Sequence, residues 1–147
     1  MLKVGSAKIL LIKKLPKSML ILYLYCLFAP FPLWLIEQLL PYPYLIEELF
    51  KYFIVKNIPA KKNYWHPVIL GIIFSFSETI LYLVNFFQLG NFENIILRII
   101  LTTTLHAFLF FLLYSFRHRK IWSILSLIFT FIIHYLYNLY ISKIFIF

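Results

Sequence analysis

Glycine and cysteine are scarce in this chain of 147 residues, and each shortage excludes something. Only three glycines are present, and none has the GxxxG spacing that lets transmembrane helices approach backbone to backbone. We therefore expect Phe, Tyr, Ile and Leu side chains to fill the space between helices. The single cysteine, Cys26, excludes an intrachain disulfide and a zinc site built on thiolates.

Polar residues are also few. Hydrophobic residues make up 63% of the chain, whereas a soluble domain is about 45–50% apolar. The chain is therefore predicted to be an integral membrane protein with the lipid bilayer as its surroundings. The net charge is +9, but the basic residues fall in short runs between hydrophobic segments, so we expect no nucleic-acid partner.

Five hydrophobic segments predict an all-α, polytopic bundle of about five transmembrane helices. Helices are expected because the segments lack the alternation of barrel strands, and lipid-exposed backbone must satisfy its own hydrogen bonds. The second segment is short, since about 20 residues are needed to cross a bilayer. The predicted segments cover roughly residues 18–40, 43–57, 65–88, 95–116 and 121–142.

The charges of the loops predict the orientation of the bundle. Residues 1–17 are rich in lysine, and "RHRK" follows the fourth segment at 117–120. Lys56, Lys61 and Lys62 follow the second segment, whereas Glu93 is the one charged residue after the third. Basic loops stay on the cytoplasmic side. We therefore predict a cytoplasmic N-terminus over 1–17 and a single transmembrane domain over 18–147.

Ionisable residues lie well inside four of the five segments. A charge at the centre of an inserted helix costs about 2.5–3.5 kcal/mol, so such residues pair, line a cavity or do chemistry. Glu47 and Lys51 are i,i+4 neighbours, and a structural ion pair is one interpretation of them. The predicted orientation nevertheless brings polar groups on four helices to similar depth: Glu47 and Glu48, Glu78, His106, and His134 with Asn138.

Three carboxylates and two imidazoles at one depth have the composition of a hydrolytic site, with Glu47 or Glu48 as the general base on a water. In one version, His106, His134 and Glu78 bind a metal, for which zinc is predicted. In the other there is no cofactor, and the imidazoles with Asn138 stabilise an oxyanion. The chain has no HExxH motif. A membrane protein that is no enzyme, with a polar binding pocket or ion path, is the rival class.

Four short motifs, in order and one per helix, resemble those of the PrsW-type intramembrane proteases. "EELFK" resembles the EExxK motif of that family, and Phe74 and Glu78 in "FSFSE" resemble its FxxxE motif. "RIILTTTLH" resembles its Arg-to-His helix, and "HYLYN" its terminal HxxxN or HxxxD element. The resemblance covers roughly residues 42–142.

The resemblance implies a peptidase in a prokaryotic cell membrane that cleaves a single-span membrane protein, which is an anti-sigma factor for the best-known member. Glu47 and Glu48 would be the catalytic pair. Glu78, His106 and His134 would complete the site, with Asn138 as their support. The wider clan includes the CAAX prenyl protease and the ABI group, so a CAAX-like peptidase of peptide maturation or immunity is an alternative.

Overall fold

The structure is a computed structural model that describes residues 17–59, 63–89 and 95–144. Within these ranges every regular element is an α-helix, which confirms the predicted fold class. Residues 1–16, Lys61, Lys62 and Glu93, which entered the prediction of orientation, lie outside the described ranges. The helices are α1 (Lys17–Phe28), α2 (Pro30–Glu37), α3 (Pro43–Lys56), α4 (Trp65–Leu89), α5 (Ile95–Phe116) and α6 (Lys120–Ile144).

The first predicted segment is broken into two helices. The axes of α1 and α2 are bent by 44° at the break between them. Pro30 begins α2, and it has no N–H to donate to the carbonyl of Cys26 one turn earlier. The helix restarts at once, because Leu33 N–H donates to Ala29 O at 3.1 Å. Residues 18–40 therefore form a broken span or a re-entrant pair.

Three of the described helices are long and apolar enough to cross a membrane, or four if the bent pair counts as one span. The three are α4, α5 and α6. The short α3 extends about 21 Å at 1.5 Å per residue, which is less than the roughly 30 Å of a bilayer core. The length and composition of these helices support a membrane protein.

Helices α4 and α5 approach closely at Gly71. A Cβ atom at this position would lie 2.5 Å from the Cα atom of Ala107 and 2.6 Å from the carbonyl oxygen of His106. Any larger residue would force the two backbones apart. The expectation that close backbone contact plays no part in the packing is therefore wrong at this crossing, and the contact places His106 directly against α4.

The basic segments of the described chain meet at one end of the bundle. Lys56 Nζ donates to the carbonyl oxygen of Arg117 at 2.5 Å, which joins the end of α3 to the turn between α5 and α6. Tyr23 of α1 shares a hydrogen bond of 2.7 Å with His66 near the start of α4. We call Lys56 and residues 117–120 the basic end of the bundle.

Candidate functional site

Helix α3 contributes two carboxylates and an ammonium group to the site. Lys51 Nζ donates to Glu48 Oε1 at 2.5 Å and lies 3.5 Å from Glu47 Oε2. The i,i+3 and i,i+4 spacings place all three side chains on one face of the helix. The predicted pair of Glu47 and Lys51 is present, but the closer partner of Lys51 is Glu48. Both Lys51 and Glu48 are fully buried.

Helix α6 contributes His134, which contacts both carboxylates of α3. His134 Nδ1 donates to Glu48 Oε1 at 2.7 Å, and His134 Nε2 lies 3.8 Å from Glu47 Oε2. Glu48 Oε1 therefore accepts hydrogen bonds from two helices, one from His134 and one from Lys51. These two bonds fix the orientation of the Glu48 carboxylate, whereas the Glu47 carboxylate has only longer contacts.

Helices α4 and α5 contribute the second half of the site. Glu78 Oε2 contacts His106 Nε2, and Tyr82 Oη donates to Glu78 Oε1 at 2.7 Å. The His106 ring lies edge-on to the His134 ring, with 5.6 Å between their centroids. The two halves therefore form one cluster, which Phe74 borders at 5.2 Å from the His106 ring.

Several buried polar atoms of this cluster have no hydrogen-bond partner among the described residues. They are Glu47 Oε2, Glu48 Oε2, Glu78 Oε2 and both ring nitrogens of His106, whose contact with Glu78 lacks hydrogen-bond geometry. A buried polar atom without a partner costs about 1–3 kcal/mol. Their concentration in one cluster makes it a candidate binding site for a water, an ion or a substrate group.

Two overlapping sets of donor atoms lie close enough to hold a metal ion. Each set has its atoms within 4.8 Å of one another, and Glu47 belongs to both. One set adds Glu48 and His134, and the other adds Glu78 and His106. The structure thus divides the predicted ligands between two sets, so His134 as a ligand beside Glu78 and His106 stays a prediction.

The remaining sequence-predicted residue, Asn138, lies on an exposed part of α6 one turn beyond His134. His134 Nδ1 donates its hydrogen bond to Glu48 Oε1, so support of His134 by Asn138 stays a prediction. Sequence reasoning missed Tyr82, although its i+4 spacing from Glu78 was a usable signal. The guanidinium of Arg98 lies over the Tyr82 ring, 4.1 Å from its centroid.

Comparisons with protein-family models, with curated proteins and with solved structures find no match for this chain. A function for the site is therefore inferred from its motifs and its geometry. The geometry offers three carboxylates, two imidazoles and one ammonium group in a single buried cluster. Such a cluster can accept a proton from water and can stabilise negative charge on an oxygen atom.

Proposed function

We propose that this chain is an intramembrane peptidase of the PrsW type, which hydrolyses a peptide bond of a membrane protein with a water activated by glutamate. One observation carries the proposal. Each of the four resembling motifs, which are distant in sequence, supplies at least one residue of a single buried cluster on α3, α4, α5 and α6. A chance set of motifs has no reason to converge in this way.

The depth of the cluster suits a substrate that lies in the bilayer. His106 lies about 15 Å along the α5 axis from Phe116, and Glu48 about 12 Å along the α3 axis from Lys56, at 1.5 Å per residue. Half of a bilayer core is also roughly 15 Å thick. The cluster would therefore meet the middle of a transmembrane substrate helix, once that helix is locally unwound.

Glu47 is the better placed of the two candidate bases. Glu47 Oε2 and Glu48 Oε2 both lack a hydrogen-bond partner among the described residues. Lys51 and His134 fix the Glu48 carboxylate through Oε1, whereas the nearest contacts of Glu47 Oε2 are longer, at 3.5 Å and 3.8 Å, so the Glu47 carboxylate is freer to turn toward a water. A general base needs a free oxygen within reach of a water. In the proposed step, Glu47 takes a proton from the water as the water oxygen bonds to the carbonyl carbon. The proton then passes to the amide nitrogen as the carbon–nitrogen bond breaks.

The imidazoles stabilise the negative oxygen of the tetrahedral intermediate in this proposal. Both nitrogens of His106 lack a hydrogen-bond partner, so one of them can donate to the oxyanion. His134 is held by Glu48 and lies edge-on to His106, which limits the movement of both rings. A site fixed before the reaction does not need to reorganise during it.

A zinc ion also fits the donors of this cluster. Glu47 Oε2, Glu78 Oε2 and His106 Nε2 are buried without hydrogen-bond partners, and carboxylates with imidazole are common zinc ligands. Zinc held by these residues would polarise the scissile carbonyl and ease deprotonation of water. Glu48 Oε2 would then be the free oxygen that accepts the proton. Stoichiometric zinc in purified protein, with activity lost to chelators, would support this version, and metal-free activity would refute it.

The count of five spans and the cytoplasmic N-terminus belong to the same proposal. The meeting of Lys56 and residues 117–120 at one end of the bundle supports one part of it, a cytoplasmic position for the end of α3 and the turn between α5 and α6, because basic residues collect on that side. A cysteine placed at His118 in a Cys26→Ala background tests the orientation. An impermeant thiol reagent should label this cysteine only after the cells are permeabilised. Labelling in intact cells would show that the orientation is opposite to the proposed one.

The catalytic proposal is tested by comparing membrane proteomes of cells that express the parent or single variants. Glu47→Gln and His134→Ala should each abolish a fragment of a single-span membrane protein, of the anti-sigma class if the resemblance extends to the substrate. Glu93→Gln, in the predicted loop, and His118→Ala, on an exposed histidine, are the matched controls. They should leave the fragment unchanged.

The parent and both site variants must be equally folded for the comparison to count. If folded Glu47→Gln and folded His134→Ala yield the same fragments as the parent, the catalytic proposal is wrong. If only one of the two folded variants abolishes the fragment, the cluster is catalytic, but the roles proposed for Glu47 and His134 must be reassigned.

A further inference from the structure

An open apolar groove runs along the outside of the bundle between α5 and α6. Its volume is about 400 Å³, and it lies away from the buried cluster. It runs from Trp122 to Ile132 of α6, about 15 Å at 1.5 Å per residue. Its walls include Leu112, Phe116, Trp122, Leu125, Phe129 and Ile132.

The groove opens at the basic end of the bundle. Arg119 and Lys120 are exposed there, next to Phe116 and Trp122 at the mouth of the groove. Lys56 joins them, because its ammonium group is bonded to the carbonyl oxygen of Arg117. Neither Arg119 nor Lys120 forms an ion pair with another of the described residues, so both charges are available to a partner outside the chain.

We propose that this groove binds an anionic phospholipid, with one acyl chain along α6 and the phosphate at Arg119 and Lys120. The apolar walls match an acyl chain, and the exposed cations match a negative headgroup. Trp122 lies between the two regions, at the level where tryptophan is favoured in a bilayer. The site is separate from the peptidase proposal and stands without it.

The dimensions favour a lipid over a partner helix or a second copy of the chain. The groove is as long as one leaflet is deep, since half of a bilayer core is roughly 15 Å. A partner helix would need a groove over the full thickness of the bilayer core. The described groove instead ends near Ile132, about half way along α6. A groove that is as long as one leaflet is deep, with cations at its mouth, matches the dimensions of a single phospholipid.

Tryptophan fluorescence in vesicles tests the proposal, because Trp122 lines the groove. The chain has three tryptophans, and Trp34→Phe with Trp65→Phe leaves Trp122 as the only one. This single-tryptophan protein is reconstituted in phosphatidylcholine vesicles that contain a brominated lipid, whose acyl chains quench tryptophan on contact. The brominated lipid is phosphatidylglycerol in one series of vesicles and phosphatidylcholine in the other. We expect half-maximal quenching at a mole fraction lower on the order of tenfold for the brominated phosphatidylglycerol.

Two matched pairs of variants separate the headgroup from the groove. Arg119→Gln with Lys120→Gln should remove the preference, and Lys143→Gln, at the far end of the same helix, should keep it. Ile128→Phe, in the wall of the groove, should weaken it, and Ile124→Phe should not. Ile124 and Ile128 are one turn apart and 49% and 48% exposed, so the control is closely matched.

Each of the other outcomes overturns the proposal. Equal quenching by the two lipids would show no selection for the anionic headgroup. Absence of quenching by either lipid would show that protein, such as a second copy, covers the groove. A preference that survives Arg119→Gln with Lys120→Gln, or that falls equally in both isoleucine variants, would show that the lipid binds elsewhere.

Discussion

Removal of the buried ammonium group should destabilise the protein strongly. Lys51→Met keeps the apolar stem of the side chain and deletes its charge. Lys51 is fully buried, with Glu48 Oε1 at 2.5 Å and Glu47 Oε2 at 3.5 Å. Removing one partner of a buried ion pair costs about 3–5 kcal/mol, because the other charge stays buried without compensation. For a chain of this size that corresponds to a fall in Tm of about 6–20 °C.

The chain carries its own reporter of unfolding. Cys26 is its single cysteine, and the side chain is fully buried in the core near α4. A dye that fluoresces on reaction with thiols will therefore report unfolding in detergent micelles as the temperature rises. Lys143→Met, on an exposed lysine of α6, is the matched control and should change the free energy of unfolding by less than about 0.5 kcal/mol.

A double variant makes the test quantitative. Lys51→Met with Glu48→Gln removes both charges of the closest pair, so most of the lost stability should return. The reasoning is refuted if Lys51→Met melts with the parent. It is also refuted if the double variant is no more stable than the single one, since the loss would then come from packing rather than from an unpaired carboxylate.

Three further changes should have smaller effects. Gly71→Ala should lower the free energy of unfolding by about 1–3 kcal/mol, because its Cβ would clash with the backbone of Ala107. Ser77→Ala, which loses a bond to a carbonyl oxygen of α1, should cost about 0.6 kcal/mol, the mean for interhelical bonds in membranes. Tyr82→Phe should lower the proposed peptidase activity by about 10- to 150-fold, because a hydrogen bond to a charged group contributes about 1.5–3 kcal/mol.

Exposed positions on the same helices supply the controls for these changes. Ile72→Ala and Ser115→Ala should leave the Cys26 melting curve near that of the parent, because Ile72 is exposed and Ser115 bonds only within α5. Tyr140→Phe, on an exposed tyrosine, should leave activity unchanged. A Gly71→Ala variant as stable as the parent would contradict the close crossing, and Tyr82→Phe with full activity would contradict the role of Tyr82 in holding Glu78.

The helical segments were predictable because hydrophobic runs alone define them. The runs at 43–57, 95–116 and 121–142 agree with α3, α5 and α6 to within a few residues. The break in the first segment was not predicted, although Pro30 and Pro32 lie inside it. Proline is tolerated in many transmembrane helices, so its presence does not determine whether a helix kinks or divides. Helix α2 packs against α3 and α4, and such contacts contribute to whether the helix divides. These contacts cannot be deduced from the hydrophobic pattern along the sequence.

The members of the cluster were also predictable, whereas their pairing was not. Equal depth in the predicted spans was enough to group Glu47, Glu48, Glu78, His106 and His134. Depth says nothing about the rotation of each helix about its axis. Rotation is set by contacts such as that of Gly71 with α5, and it places His106 against Glu78 and His134 against Glu48. The two candidate donor sets therefore group these residues differently from the predicted set of His106, His134 and Glu78, and metal binding by any of them stays a prediction.

The balance of charges in the cluster favours the proposed functional site over a purely structural ion pair. A structural role would be complete with Lys51 and one glutamate, and an apolar pair of similar volume would often be as stable. This cluster instead keeps two further carboxylates and two imidazoles, several of whose buried atoms have no hydrogen-bond partner among the described residues. Each such atom costs stability and adds nothing to packing. Polar groups held at that cost on four helices favour the proposal that the cluster binds a substrate, a water or an ion.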